Sequence, residues 1–295
     1  MNAIADAVAA RHASPSPSAE IAGLDPELGY ERIVFLLSYQ LFQWDVERSL
    51  EFALLNTYAI PSISGLLART GEFTRQARKR YDDTELLLAE IGENGFDSDR
   101  AGQALDRVNA MHGRFRIAND DYLYVLSTFV FNPIDWMAEY GRRAFTAKEQ
   151  LAWLRYYQEL GRRMGIADIP ASLEAFRSFR EKFEAERMVY ADSNREVSTV
   201  TVDLVLGMYV PRALYPIGRP VAMTLCSERL IAAIGGRQPP QWLRRMVHSA
   251  MQLRGGLLGM LPEPKRLRRI TLRKNPTYPN GYKIAGLGVL RPGRG

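Results

Sequence analysis

RAGQALDRVNAMHGRF, residues 100–115, is the stretch on which the fold reading turns. Its apolar stripe is Ala101, Leu105, Val108, His112 and Phe115, at spacings of four, three, four and three. That period is one face of an amphipathic helix turned toward a core. His112 is the informative member. A neutral imidazole among apolar neighbours needs a partner for its ring nitrogens, either a protein group or a metal. The commoner case is a hydrogen-bonded core histidine. The two other histidines differ from it. His12 sits in an Ala/Ser/Pro-rich N-terminal stretch that reads as disordered, and His248 lies on a polar helix row between Arg244 and Gln252.

Working outward, helical signals dominate. Residues 27–56 read as helix with a break around 43–45, ending before Pro61, since proline rejects a helical residue before it. Residues 62–67 and 76–91 read as two more helices, and Asp97, Ser98 or Asp99 can cap the His112 helix. Residues 119–121 cap an apolar helix over 122–131, and Pro133 opens another. Thr146 and Glu149 form a capping box for a helix that Gly165 closes. Helices follow near 171–190, 194–209, 220–234 and 240–260. The last thirty residues are irregular and rich in Gly and Pro. No two strand-like runs are joined by a hairpin signal. The expected fold is all-α: a single large helical domain over 23–262, between a disordered tail (1–22) and a basic, irregular C-terminal tail (263–295).

Composition narrows the chemistry. The chain has 295 residues, 46% hydrophobic and 24% charged, as soluble globular proteins do. A single cysteine, Cys226, excludes an internal disulfide framework and Cys-rich metal sites, and suits a reducing compartment such as the cytoplasm. With three histidines, a non-haem iron triad would need His112, His248 and a carboxylate. A cofactor held by one histidine, such as haem, stays open. No secretory signal and no 18-residue apolar run is seen, so no transmembrane helix is expected. Dinucleotide, P-loop and nucleophile-elbow motifs are missing. Charge is uneven. Residues 241–295 hold twelve Lys/Arg and one acid, a net +11, which leaves −5 elsewhere in a chain of net +6. The bland reading is a solvated basic tail. An anionic membrane surface is the next candidate partner; nucleic acid is not expected, because no nucleic-acid-binding motif accompanies the charges.

RYDDT at 80–84 precedes the His112 helix. Arg80 and Thr84, one turn apart, share a face that Leu87, Leu88 and Ile91 continue. That places a cation and a hydroxyl above an apolar row; the simpler alternative is a surface Arg80–Asp83 pair. R-x-x-x-T followed by a helical histidine resembles the MpaB / latex-clearing protein (rubber oxygenase) family. NTYAIPSISGLL (56–67), TGEF (70–73), RVNAMH (107–112), NDDYLYVLSTF (119–129), GRRMG (161–165) and YPNGY (278–282) extend the likeness over about residues 25–288.

The resemblance implies a globin-like helical core around b-type haem. His112 matches the proximal iron ligand, and Arg80 and Thr84 match the pair across the pocket. The activity it implies is oxidative cleavage, with dioxygen, of carbon–carbon double bonds in an apolar prenyl or isoprenoid-like chain; together with the +11 tail, that apolar substrate class leads to an expectation of peripheral rather than integral membrane association. Two positions depart from the family pattern. Leu126 stands where many members carry a histidine, and Asp83 stands where rubber oxygenases carry a lysine able to cap the iron. Asp83 enters the site set as a group able to hold the Arg80 guanidinium or reach the pocket edge. The rubber-cleaving branch's catalytic base finds no match, with Glu72 the nearest guess. Tyr122, Tyr124, Phe129, Phe131 and Trp136 can line a pocket or fill a core. The alternatives are a non-catalytic haem sensor or carrier and a helical membrane-surface module.

Overall fold

The computed structural model describes residues 15–289, except for the side chains of 73 and 74. His12 and residues 290–295 lie outside the described residues. Among the described residues there is no strand. The described residues form thirteen α-helices: α1 (Pro17–Gly23), α2 (Tyr30–Leu36), α3 (Gln43–Tyr58), α4 (Pro61–Thr70), α5 (Glu72–Asn94), α6 (Asp99–His112), α7 (Asn119–Tyr140), α8 (Ala147–Arg163), α9 (Leu173–Arg187), α10 (Asp192–Gly207), α11 (Tyr215–Thr224), α12 (Glu228–Ala233) and α13 (Gln241–Met260). The all-α expectation holds.

Local chemistry sets the boundaries. A π-helical turn, Leu37–Leu41, follows α2, and Phe42 (φ −128°, ψ 26°) breaks the run just before the expected place. Pro61 opens α4 after the extended Ile60, and Gly71 (φ +64°) supplies the left-handed residue between α4 and α5. Ser98 caps α6 by accepting from the amide of Ala101 at 3.2 Å. The capping box of Thr146 and Glu149 is formed at the start of α8.

Four expectations change. Residues 17–22, read as tail, belong to α1: Ser16 caps it, Pro17 opens it and Ile21 is buried. The His112 stripe ends at His112 and not at Phe115, because the helix stops at Gly113 and Phe115 is exposed. Residues 220–234 form two helices, since Ser227 caps a new one by accepting from the amide of Leu230. Pro133 lies inside α7 and does not open a helix. Proline has no amide to reach the carbonyl four residues back, that of Phe129. Trp153 Nε1 donates to that carbonyl at 3.1 Å, so α7 runs on without an orphaned acceptor.

The helices pack in pairs: α3 along α7, α2 along α8, α5 along α6, and α10 against α4 and α5. Two buried clusters result, and Phe52 and Phe179 pack against both. The C-terminal segment is irregular, as expected, yet it is pinned down. The amide of Arg268 donates to the Tyr39 carbonyl at 2.9 Å within the π turn. Arg273 pairs with Glu85 at 2.5 Å.

Trp153→Phe is expected to cost about 1–3 kcal/mol in urea denaturation, the penalty for an unsatisfied acceptor. In a Pro133→Ala background residue 133 regains its amide, and the same substitution is expected to cost less. Equal costs in both backgrounds would exclude this role for Trp153.

Candidate functional site

α5 and α6 pack side by side and line one cavity of about 870 Å³. α5 gives it Arg80, Asp83, Thr84, Leu87 and Leu88; α6 gives Val108, Met111 and His112. Tyr122, Val125, Leu126 and Phe129 of α7 form another wall. Leu54 and Tyr58 of α3, most of α4, the end of α8 and Thr201 and Leu204 of α10 complete it. The volume is within the range of ligand pockets, about 300–1,000 Å³. The wall is mainly apolar, and Arg69, Arg114 and Arg116 lie exposed at its rim.

His112, the last residue of α6, is the site's unusual group. Its Nδ1 is buried and finds no hydrogen-bond partner among the described residues. The Tyr122 ring meets it edge-on, with centroids 5.6 Å apart. Burial first, and the nearby Arg80 guanidinium second, push the imidazole below its ordinary 6.5. The ring is therefore neutral at pH 7, with a lone pair to offer. An unpartnered buried polar atom is a costly feature that calls for an explanation, such as a ligand.

Arg80 and Thr84 reach the same cavity as His112. Thr84 Oγ1 donates to the Arg80 carbonyl at 2.9 Å. A hydroxyl has one proton, so in this state Thr84 offers a ligand only acceptor lone pairs. Asp83 is buried and also lines the cavity, but its carboxylate is engaged. Lys79 Nζ donates to Oδ2 at 2.6 Å, and Tyr278 Oη donates to Oδ1. The salt bridge of Asp83 is thus to Lys79, and among the described residues no lysine lines the cavity.

Other residues sort clearly. Tyr122 and Phe129 line the cavity. Tyr124, Phe131 and Trp136 do not: Tyr124 stacks on Phe183, Phe131 meets Phe176, and Trp136 Nε1 donates to Asp45 at 3.0 Å. Leu126, at the departing position, is buried against the cavity. Glu72, Tyr58 and Tyr81 also reach it. The Tyr81 hydroxyl donates to Glu51 at 3.0 Å. A smaller chamber of about 120 Å³ adjoins, sharing Leu54, Tyr81, Thr84, Leu88, Phe129 and Leu160 with the larger. His248 lies elsewhere: Nδ1 meets Glu139 at 2.9 Å and Nε2 the Thr224 carbonyl at 3.0 Å. Among the described residues no three His, Cys, Asp or Glu side chains converge as a metal cluster. A prosthetic group held through one histidine is the arrangement the cavity can serve.

Sequence reading missed the contributions of α8 and α10, which carry no local signal, and the rim arginines at 114 and 116. It also missed the partner of Asp83, 195 residues away. YPNGY and RYDDT had both been singled out, but their contact is not visible from either alone.

Comparison with known proteins gives a family. Residues 53–264 match the family model described as ER-bound oxygenase mpaB/B'/Rubber oxygenase, catalytic domain. ER-bound oxygenase mpaB of Penicillium roqueforti (strain FM164) is 30% identical over 202 residues, covering 62% of this chain and 67% of the relative. ER-bound oxygenase mpaB' of Penicillium brevicompactum is 29% identical over 252 residues, covering 79% of this chain and 59% of the relative. The chain thus spans well short of the whole length of these relatives.

Tyr278→Phe removes one donor to buried Asp83 and is expected to destabilise the fold by about 1–3 kcal/mol. The Asp83→Asn/Tyr278→Phe double variant is expected to lose less than the sum of the single variants. Strict additivity in chemical denaturation would show that the two groups are not coupled.

Proposed function

Since the chain belongs to the family of ER-bound mpaB/B' oxygenases and rubber oxygenases, we propose that it is a haem b-dependent oxygenase. Its reaction is oxidative cleavage, with dioxygen, of a carbon–carbon double bond in an apolar, prenyl-like chain. The observation that carries this reading is His112: a neutral imidazole with a buried, unpartnered nitrogen in the wall of a large apolar cavity. The donor set fits haem, which one neutral histidine such as His112 would hold.

Haem b, when bound, supplies the dioxygen chemistry that side chains lack. The chain's own groups do the rest. His112 would hold the iron. The rim arginines Arg69, Arg114 and Arg116 offer charge partners for the haem carboxylates. Arg80 places a fixed positive charge in the cavity, where it stabilises negative charge developing on oxygen. Thr84 Oγ1, one turn along, accepts a hydrogen bond, and it becomes a donor only by releasing the Arg80 carbonyl. Asp83 is a positioning residue, holding α5 through Lys79 and Tyr278. Leu87, Leu88, Val125, Leu126 and Phe129 exclude water and orient an apolar chain. Cleavage of a double bond by dioxygen balances without added reductant: the C=C bond breaks and each carbon takes one oxygen atom as a carbonyl.

The relatives are named as ER-bound. Among the described residues no single helix is long and apolar enough to cross a membrane. α3 and α4, bent at 94°, pass that test as a pair by length and composition alone. Our reading is peripheral association with a membrane surface from the cytoplasmic side, suited to a substrate that partitions into lipid.

The test is haem content and oxygen uptake, with farnesol as an unsaturated prenyl probe. The wild-type chain, expressed with haem supplied, is expected to carry b-type haem. Arg80→Ala is expected to keep that haem and lose about 10²-fold in oxygen uptake, the scale of one preorganised electrostatic donor. A colourless wild-type protein would refute the haem assignment, and full activity in Arg80→Ala would remove Arg80 from the site.

A further inference from the structure

α13 presents an apolar side to solvent. Trp242, Met246, Leu253, Leu257 and Met260 recur at helical spacing and are between 50% and 76% exposed. The side turned inward carries Leu243, Val247, Met251 and Leu258, buried or half-buried, with Met251 packed against the core, so α13 is apolar on both sides. Gly255 lets the helix lie flush on the end of α7, since a Cβ there would stand 2.5 Å from the Tyr140 carbonyl. A surface helix ordinarily carries polar residues on its outward side. Large apolar side chains gathered on one exposed face mark an interaction site.

Charge indicates what covers this face. α13 carries Arg244, Arg245 and Arg254 and no acid, and Lys265, Arg266, Arg268 and Arg269 follow closely. Arg244 and Arg254 are committed within the fold, to the Thr224 carbonyl and to Asp45. Arg245, Lys265, Arg266 and Arg268 are exposed. Glu263, the one acid of 241–295, accepts from the Ser18 amide. The Arg254 guanidinium also sits 3.8 Å from the ring centroid of Trp44, which is itself partly exposed. Tryptophan, leucine and methionine bordered by unpaired arginine and lysine are the composition of an interfacial helix on anionic lipid. A second copy of the chain fits poorly, because an isologous contact would set this cationic face against itself.

We propose that the outward face of α13 is a membrane-docking surface. Its Trp, Met and Leu side chains enter the headgroup level of an anionic bilayer, and Arg245 with the Lys265–Arg269 cluster meets the anionic headgroups. The proposal rests on the peripheral-membrane part of the reading above and is independent of whether haem is bound. It moves the anchor from a free basic tail to a structured helix face, for which the neighbouring cations supply attraction.

Flotation of the full chain with vesicles of phosphatidylcholine and phosphatidylserine, against phosphatidylcholine alone, tests it. The wild-type chain is expected to float with the anionic vesicles, with a blue shift in fluorescence that Trp242→Phe removes. Leu253→Glu/Leu257→Glu is expected to lower binding by about tenfold or more, with helical content and Tm unchanged, since both side chains are exposed. Arg245→Gln and Lys265→Gln are each expected to cost about fivefold on anionic vesicles. Undiminished binding of Leu253→Glu/Leu257→Glu would overturn the α13 assignment and leave peripheral binding standing. Failure of the wild-type chain to float would overturn both. Equal flotation with the two vesicle types would overturn the electrostatic part. A wild-type dimer in light scattering, dispersed by the same double variant, would assign the face to self-association instead.

Discussion

A row of buried carboxylates on α5 holds this structure in register. Asp82, Asp83, Glu90 and Glu93 are almost fully buried on one strip of the helix, where unpaired charges would be untenable. Each is met from the C-terminal segment. Thr277 donates to Asp82, Tyr278 to Asp83, and Tyr282 to Glu90 at 2.6 Å. The amides of Ile270 and Thr271 donate to Glu93 at 2.5 and 3.1 Å. Lys79 and Arg100 balance charge at Asp83 and Glu90. Such a network is stable only when nearly complete, so it fixes the rotation of α5 about its axis.

That rotation has a consequence for the cavity. With the acids turned to the C-terminal segment, Arg80, Thr84, Leu87 and Leu88 on the neighbouring strip face inward. The same segment also grips α6: Arg107 Nε donates to the Leu287 carbonyl at 2.6 Å. The strap therefore spans the two helices that carry Arg80 with Thr84 and His112. Their separation is thus braced by distant backbone as well as by their direct packing and the short loop joining them. In the proposed reaction that separation matters, since displacements near 1 Å can cost about 10²-fold in rate. Asp83 is understood on the same terms. At the cavity edge its charge is balanced by Lys79, one turn back, and its other oxygen accepts from Tyr278.

What the sequence made legible was local. Pro61, the Thr146–Glu149 box, Ser98 and Gly165 announced their boundaries because capping chemistry acts within a few residues. The α5 face bearing Arg80 and Thr84, and His112 on the following helix, followed from helical period. What was illegible depended on partners far along the chain. Pro133 reads as a helix start unless Trp153 is known to cover the Phe129 carbonyl. Asp83 reads as an arginine partner or a pocket acid unless Tyr278 is known to lie beside it. Residues 17–22 look like tail until Ile21 finds a core. Residues 240–260 read as a helix, but which of its sides lies uncovered was not legible, because only the packing of the other helices decides it.

The central claim is that His112 is the group through which the cavity holds its cofactor, and ligand replacement at that position tests it most directly. In His112→Gly the side chain is gone and a space of imidazole size is left. Haem titrated into the purified variant is expected to bind weakly, with a diminished Soret band, and millimolar imidazole is expected to restore the wild-type band. Haem binding in His112→Gly as tight as in the wild-type chain, with a spectrum insensitive to imidazole, would contradict the account.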